Sequence, residues 1–467
     1  MKRLNRRSFL AASAATMAAP ALAAPTPAAE YDAVIVGAGA AGIAAARRFS
    51  ALGRKFTVIE AAPRIGGRCV TDSSIFGVPF DRGAHWIHMP EINPVAKLAA
   101  KTDLEIYPAS ITEGLRIGRR NAREGELEDF LGARVRANRA ITEAARGKSD
   151  TNCESALPRD LRDWRPTMEF VLGAYGCGKE LREVSVFDYA KSAERDVDAF
   201  CRQGYGTLLA KLGANLPITL ANPVTRIEWG SNLAIETEKG RLTARALIIT
   251  ASTNVLASGK IKFVPDLPKR QLDALNQLKL GSYDHVALEL PDNPLGLQRD
   301  ELVFEKADNA KTAALLANVS GTSLTMVEVG GRYGRDLSEQ GDEAMIDFAS
   351  EWLAGLFGDD VKKAIKRTHA TRWNAEPWVL GAFSAASPGG QGARKALMEP
   401  LHDRIWFAGE AVHETLWGTV GGAWESGSRA AEAILRKQGV LKDPLPLNQK
   451  KPAAPEKRPA ASQRRRT

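Results

Sequence analysis

Residues 31–68, YDAVIVGAGAAGIAAARRFSALGRKFTVIEAAPRIGGR, constrain this chain more than any other stretch. An apolar run at residues 33–36 has the length of a buried strand. A glycine turn follows, with Gly37, Gly39 and Gly42 in G-x-G-x-x-G spacing. Residues 40–52 read as a helix, and residues 55–59 as a second parallel strand ending at Glu60. Each glycine has a physical job. The first makes the tight turn, the second admits a pyrophosphate to the backbone, and the third packs helix on strand. The helix N-terminus then faces the phosphate charge. Glu60 sits 18 residues past Gly42, where a carboxylate accepts the hydroxyls of an adenosine ribose. The unit reads as a dinucleotide site. The alternative is a glycine turn in a βαβ unit that binds nothing. NAD and FAD are not separated by this stretch.

With 467 residues the chain exceeds one compact core, and two domains are expected. Its formal charge of +9 resides at the ends: residues 1–24 carry +4 and residues 441–467 carry +6. The rest is near neutral, so nucleic acid is not an expected partner. Arg6 and Arg7 stand before Ser8-Phe9-Leu10 and an alanine-rich apolar run, and Ala21-Leu22-Ala23 is an A-x-A cleavage pattern. Residues 1–23 therefore read as a twin-arginine signal, which places the mature protein in the periplasm. A basic leader without that role is the alternative. No later stretch reads as a membrane-spanning helix. The tail, residues 441–467, is Pro, Ala, Lys and Arg without periodicity and reads as disordered. Cys69, Cys153, Cys177 and Cys201 lack metal-ligand spacing. No metal is expected. Buried free thiols are the expected state, and a disulfide among the last three is left open.

Further along, Asn93-Pro94 reads as the start of a helix reaching about Lys101. Residues 111–200 read as mostly helical, with residues 145–165 as loop. A helix at 207–216 precedes strands at 218–220, 224–229, 233–237 and 242–250. Residues 342–357 read as an amphipathic helix with Met345, Phe348, Ala349, Trp352, Leu353 and Leu356 on its core face.

After Glu60 comes Arg64-Ile65-Gly66-Gly67-Arg68, a second glycine pair between arginines. The run E-A-x-x-x-x-G-G-R resembles the flavin-containing amine oxidases. The stretch Gly83-Ala84-His85-Trp86-Ile87-His88, followed by N-P-V-x-x-L-A, is similar to their polyamine and spermine oxidase branch. Near the C-terminus Phe407-Ala408-Gly409-Glu410-Ala411-Val412-His413, then Gly421-Gly422-Ala423 and Ser426-Gly427, match that branch in residues and spacing. The resemblance covers roughly residues 31–435 and implies FAD.

It also implies an α/β fold. A Rossmann-type FAD-binding domain would be built from residues 31–110, 201–265 and 391–440. An α+β substrate-binding domain would take residues 111–200 and 266–390. FAD would be held by Gly37, Gly39, Gly42, Glu60, Arg64, Gly67, Arg68, Gly83, Ala84, Val224, Gly409, Glu410, Thr419 and Val420. Val224 would meet the adenine, Glu410 the ribityl and pyrophosphate region, and the helix opening at Thr419-Val420 the flavin pyrimidine edge. That helix end would stabilise the charge of reduced flavin.

The implied chemistry is removal of hydride from the carbon beside an amine nitrogen to flavin N5, giving an imine that hydrolyses. The substrate would be a small-molecule amine of polyamine type. Dioxygen would be the final acceptor and yield hydrogen peroxide; a periplasmic electron carrier is the alternative. Such a site must hold the amine neutral, which desolvation between aromatic walls favours. His85 would line the substrate cavity, or be a hydrogen-bonded core histidine instead. Phe383 matches one flanking aromatic position. The other falls on Thr419, and Trp417 could narrow the cavity in its place. Glu414, Glu328 and Asp284 are candidates for a polyamine's second charge, each otherwise a solvated surface acid. Ala382 occupies the position of a flavin-linking cysteine, so FAD is expected to be noncovalent. Where the family usually carries a lysine near flavin N5, this chain has His285. With an ordinary histidine pKa of about 6.5, its charge would be lost near neutrality. An L-amino-acid oxidase and a flavin-bound protein without turnover remain alternatives.

Overall fold

The computed structural model describes residues 29–110, 113–192, 197–230 and 232–442. The leader, the A-x-A pattern and the basic tail past Lys442 lie outside the described residues.

The first βαβ unit forms as its glycine spacing predicts. A strand at Ala33–Val36 runs into a helix at Ala40–Ala51 and a parallel strand at Phe56–Ile59. These belong to a five-stranded parallel sheet ordered Ile218–Thr219, Phe56–Ile59, Ala33–Val36, Leu247–Ile249, Ile405–Phe407. Both faces are covered. Val34, Val36, Leu247, Ile249, Ile405 and Phe407 pack into one core, while Ala33, Ile35, Ile248 and Trp406 pack into another. That double burial explains the continuous apolar runs in place of alternation.

Residues 242–250, expected as one strand, form two. Gly240–Thr243 pairs antiparallel with Ala234–Thr237 in a four-stranded sheet. Leu247–Ile249 instead joins the parallel sheet. Between them the chain changes partners at Tyr31, whose N–H donates to the Thr243 carbonyl and whose carbonyl accepts from Arg245 N. An apolar run carries no mark of which sheet receives it.

The third large sheet has seven strands. They are ordered Thr368–Ala370, Tyr283–Glu289, Leu324–Gly330, Ala314–Ala317, Glu301–Glu305, Glu113–Ile117, Arg120–Asn121. The helix at Asp342–Phe357 backs it, with Met345, Ala349, Trp352, Leu353 and Leu356 in the core shared with Val286, Leu288 and Val327. Phe348 is only partly buried. The stretch 145–165 is less of a loop than expected: it holds a short helix at Cys153–Ala156 and a tight helical segment at Arg159–Trp164. Asn152 caps the former through Ser155 N at 2.8 Å, and Leu157 and Leu161 are buried with Phe130.

Two smaller features position the site. Asn93 caps the helix Pro94–Ala99, two residues shorter than expected, by accepting from Val95 N at 2.9 Å. The helix predicted at 207–216 begins earlier, at Tyr205, and runs to Gly213. The reason lies far away in sequence: Asp81 accepts from Tyr205 N and Gly206 N at 3.0 and 3.3 Å, satisfying N–H groups of its first turn. The fold class is the expected α/β one. Among the described residues no helix is long and apolar enough to cross a membrane.

Candidate active site

One cavity of about 1240 Å³ runs from the glycine turn of the parallel sheet to the seven-stranded sheet. The candidate FAD contacts other than Gly42 line it, as do His85, His285, Phe383, Trp417 and Thr419, whereas the candidate acids Asp284, Glu328 and Glu414 do not. Gly42 lies behind the wall, where a Cβ would sit 1.9 Å from the Gly37 carbonyl oxygen. Gly37 has φ +101°, and a Cβ there would meet the Thr250 hydroxyl at 2.3 Å. The second glycine pair packs on the first: a Cβ on Gly67 would stand 3.3 Å from Gly39 Cα. Two backbone turns thus stack without side chains. The Ala40–Ala51 helix opens beside them with no side-chain cap and no acid in its first turn. That end is shaped for an anion.

Beyond the glycine turn Glu60 is 8% exposed. Its two oxygens accept from Ala38 N at 2.7 Å and Ala62 N at 2.8 Å. Each keeps a lone pair for a hydroxyl. Val224 and Pro223 line the neighbouring wall. Arg64 donates to the Gly67 carbonyl at 2.8 Å, fixing the second turn.

Midway, Glu410 is fully engaged. It accepts from Arg68 at 2.9 Å, the Ser384 hydroxyl at 2.7 Å and Gly418 N at 2.9 Å. Burial alone would raise its pKa, but Arg68, Arg394 and the Ser384 hydroxyl together hold it below the usual carboxylate value. Arg394 extends the network to Asp188 through two 2.8 Å bonds. Its guanidinium lies 4.9 Å over the Trp417 ring, which is 2% exposed. Thr419 caps the helix Val420–Lys437: its hydroxyl accepts from Gly422 N at 2.9 Å and donates to the Leu416 carbonyl. Thr419 and Val420 turn this helix end to the cavity.

The far wall is aromatic. Phe383 packs 3.4 Å from where a Gly418 Cβ would be and 5.8 Å from the Tyr283 ring. Tyr175, Trp86 and Trp373 also line the cavity. Tyr283 and Tyr175 were missed from the sequence. Tyr283 had a signal, since it precedes His285 by two residues on one strand and so shares its face. Tyr175 had none, because a distant segment brings it there.

His85 and His285 both line this wall and are each 4% exposed. His85 Nδ1 is 3.0 Å from Asp81 Oδ2, and His285 Nδ1 is 3.1 Å from the Asp81 carbonyl oxygen. The expectation that His285 titrates near neutrality is overturned. Burial and then the neighbouring His85 push it down to about 4, so it is uncharged at neutral pH.

The acids also differ from expectation. Asp284 and Glu328 are each 1% exposed, not solvated. Desolvation raises both to about 7. Asp284 points to the other side of its strand and accepts from Trp373 N and the Thr371 hydroxyl. Glu414 is half-buried beside Lys395 at 3.7 Å and does not line the cavity. Other carboxylates that line the cavity include Glu113, paired with Arg134 at 2.7 Å, and Asp198, paired with His88 at 2.6 Å. All four cysteines are buried and free. Among the described residues no cluster of His, Cys, Asp and Glu could hold a metal ion.

Residues 40–435 match a family model described as flavin containing amine oxidoreductase. Lysine-specific histone demethylase 2 of Homo sapiens is 27% identical over 440 residues, which are 86% of this chain and 53% of that protein. The chain thus spans about half the length of that relative. Probable polyamine oxidase 4 of Arabidopsis thaliana is 27% identical, with 86% of each chain covered. Among solved structures, putrescine oxidase bound to putrescine superposes with a TM-score of 0.72 at 20% identity, covering 87% of this chain and 99% of that one. Cyclohexylamine oxidase from Brevibacterium oxydans gives 0.72 at 21%, covering 88% and 99%. These likenesses establish the shared fold.

Proposed function

The chain belongs to the flavin-containing amine oxidoreductases, and from that premise we propose that it is an FAD-dependent oxidase of a small polyamine-like amine. The carrying observation is that one cavity joins a dinucleotide cradle to an aromatic wall. The cradle fits FAD on its own geometry. Gly37 and Gly67 leave no room for side chains, an uncapped helix end offers N–H groups, and Glu60 keeps lone pairs for a ribose. Bound FAD would supply the two-electron acceptor for the C–H bond beside nitrogen. FAD is read as noncovalent because Ala382 lines the cavity where a linking thiol would be needed.

In this reading residues 31–110, 201–265 and 391–440 hold FAD, and residues 111–200 and 266–390 hold the amine. The aromatic wall of Phe383, Tyr283 and Trp417 orients the amine and excludes water, which favours its neutral form. Glu113 and Asp198 supply negative charge farther out for a second ammonium group. The polyamine class draws support from relatives of that name with matching length.

A second reading, electron transfer to a carrier in place of dioxygen, is favoured by His285. An uncharged imidazole on this wall offers no positive charge for a forming superoxide. The signal-like leader with Arg6-Arg7 supports export by the twin-arginine route to the periplasm. Retention of the Arg6→Lys, Arg7→Lys protein in the cytoplasm would be the expected fractionation result, and normal export would refute it.

Anaerobic titration of the yellow holoprotein with spermidine, putrescine and cyclohexylamine tests the main reading. Bleaching of the flavin absorbance by at least one amine is expected, followed by peroxide formation on admitting dioxygen. Bleaching that reverses only with an added artificial acceptor selects the second reading. No bleaching by any amine, with FAD bound, overturns both.

A further inference from the structure

The segment that carries Phe383 is gripped from behind the cavity by charged side chains. Arg68 donates to the Ala382 carbonyl, and Glu410 accepts from Ser384 N at 3.2 Å. Arg394 donates to the Ser384 hydroxyl at 3.1 Å, and Asp188 accepts from Ala386 N at 2.9 Å. Among these grips Lys179 Nζ donates to the Ala385 carbonyl at 2.7 Å. The Phe383 carbonyl itself accepts from Gly281 N at 2.8 Å. Lys179 differs from the other charged groups. Arg68 with Glu410 and Arg394 with Asp188 are ion pairs at 2.9 and 2.8 Å. Lys179 is 6% exposed, and a neutral carbonyl holds its ammonium. Burying a cation against a neutral partner costs free energy, and an apolar side chain of similar length would fill the space without that cost. What the ammonium adds is direction, because it fixes one carbonyl two residues past Phe383. Gly178 adds to the hold: a Cβ there would stand 3.5 Å from the Phe383 ring, and its carbonyl accepts from Ser282 N at 2.8 Å. The same stretch of chain follows the helical segment Phe170–Tyr175, which delivers Tyr175 to the cavity.

We propose that Lys179 is a positioning residue for the amine: from outside the cavity it locks Phe383 and Tyr175 into one wall, and so sets how an amine lies against it. The inference rests on the amine reading of the cavity. Lys179 does not line the cavity, so it acts on the amine only through these rings. Burial lowers its pKa to about 8. The ammonium that grips the carbonyl is therefore present at neutral pH and is lost as pH rises through that value. The charged or titratable groups that face it are Glu183, Asp188 from the helix Val186–Ala190, Arg394 from the helix Ala393–Met398, and Cys177 on its own segment.

Two measurements decide it. The first places 4-fluorophenylalanine at residue 383 of the FAD-bound protein and reads its fluorine NMR signal. The parent signal should move as pH rises through about 8. Lys179→Met keeps an apolar stem and removes the ammonium. Its signal should be shifted or split at pH 7 and should not titrate between pH 7 and pH 9. A parent signal that holds still over that range overturns the proposal whether or not any amine is oxidised, and this arm requires no variant to fold.

The second measurement is anaerobic flavin reduction by putrescine and cyclohexylamine at pH 7. Lys179→Met should slow it by up to about 10²-fold, the scale of a reacting group misplaced by 1 Å, while FAD affinity stays at the parent value. Reduction at the parent rate overturns the proposal. So does a loss of reduction that only follows a loss of FAD, since Lys179 is then a packing residue. If no amine reduces the parent flavin either, the amine reading falls and this proposal falls with it. A fluorine signal that titrates near pH 8 would then place the failure in that reading and not in the Lys179 contact.

Discussion

Glu60 does two things with one carboxylate: it closes the turn by accepting from Ala38 N and Ala62 N, and it leaves lone pairs facing the cavity. Replacing it with Ala removes the proposed ribose acceptor and strands two backbone donors. Glu60→Ala should weaken FAD binding by about 1.5–3 kcal/mol, the scale of a hydrogen bond to a charged group. Fluorescence titration of apoprotein with FAD measures this, and an unchanged Kd would remove Glu60 from the ribose site. Glu60 was legible in the sequence because its partners lie within 22 residues along one βαβ unit. Glu113, Asp198 and Tyr175 were not, because three distant segments deliver them to one wall. The identity of His285 was legible, but its charge state was not. That state depends on burial and on His85, 200 residues away in sequence.

Helix placement around the glycine turn depends on contacts that sequence period does not reveal. The helices Ala40–Ala51 and Val420–Lys437 cross where a Cβ on Gly427 would stand 2.0 Å from the Ala41 carbonyl oxygen. Gly427→Ala must push the first helix off the turn it caps. A loss of about 1–3 kcal/mol is expected, as for overpacked cores, together with lower FAD occupancy on purification. Gly125→Ala, in the exposed first turn of the helix Glu124–Ala144 with open space around it, should be neutral or stabilising by up to about 1 kcal/mol. Thermal melts and flavin-to-protein absorbance ratios compare the two. Equal melting temperatures would mean the helices part freely at Gly427. The first βαβ unit and the helix stripe at 342–357 were readable because each repeats a local period. The split of residues 242–250 was not, because the break is set by backbone hydrogen bonds to Tyr31, more than 200 residues upstream.

At the scale of the whole molecule, the seven-stranded sheet is tied through Asp284 to the segment at Arg82. Its Oδ1 accepts from the Trp373 amide at 2.8 Å, and the Trp373 indole donates to the Arg82 carbonyl at 2.9 Å. Its Oδ2 is buried without a partner, which suits a protonated carboxyl. Desolvation, opposed by the Trp373 and Thr371 hydrogen bonds, raises the group to about 7. The sign follows from linkage. The folded pKa exceeds the unfolded one, near 3.9. The protonated group therefore contributes stability that is fully present below about pH 4 and is lost as pH rises through about 7. Glu328, also raised to about 7, acts in the same direction. His285, lowered to about 4, opposes both between its unfolded value and that point, because its stabilising neutral form is lost only as pH falls. The total curve thus mixes signs, but one substitution isolates the Asp284 part. Asp284→Asn keeps an acceptor for Trp373 and Thr371, places an N–H2 where the acid proton sits, and does not titrate. Its stability relative to the parent should rise between pH 4 and pH 7 and level off above. The rise should reach at most about 4 kcal/mol, at 1.36 kcal/mol per pKa unit. Urea unfolding of both proteins at pH 5, 6, 7 and 8 gives the difference directly. A difference that does not change with pH would show that Asp284 is ionised throughout, and that the junction at Trp373 is held by a buried charge.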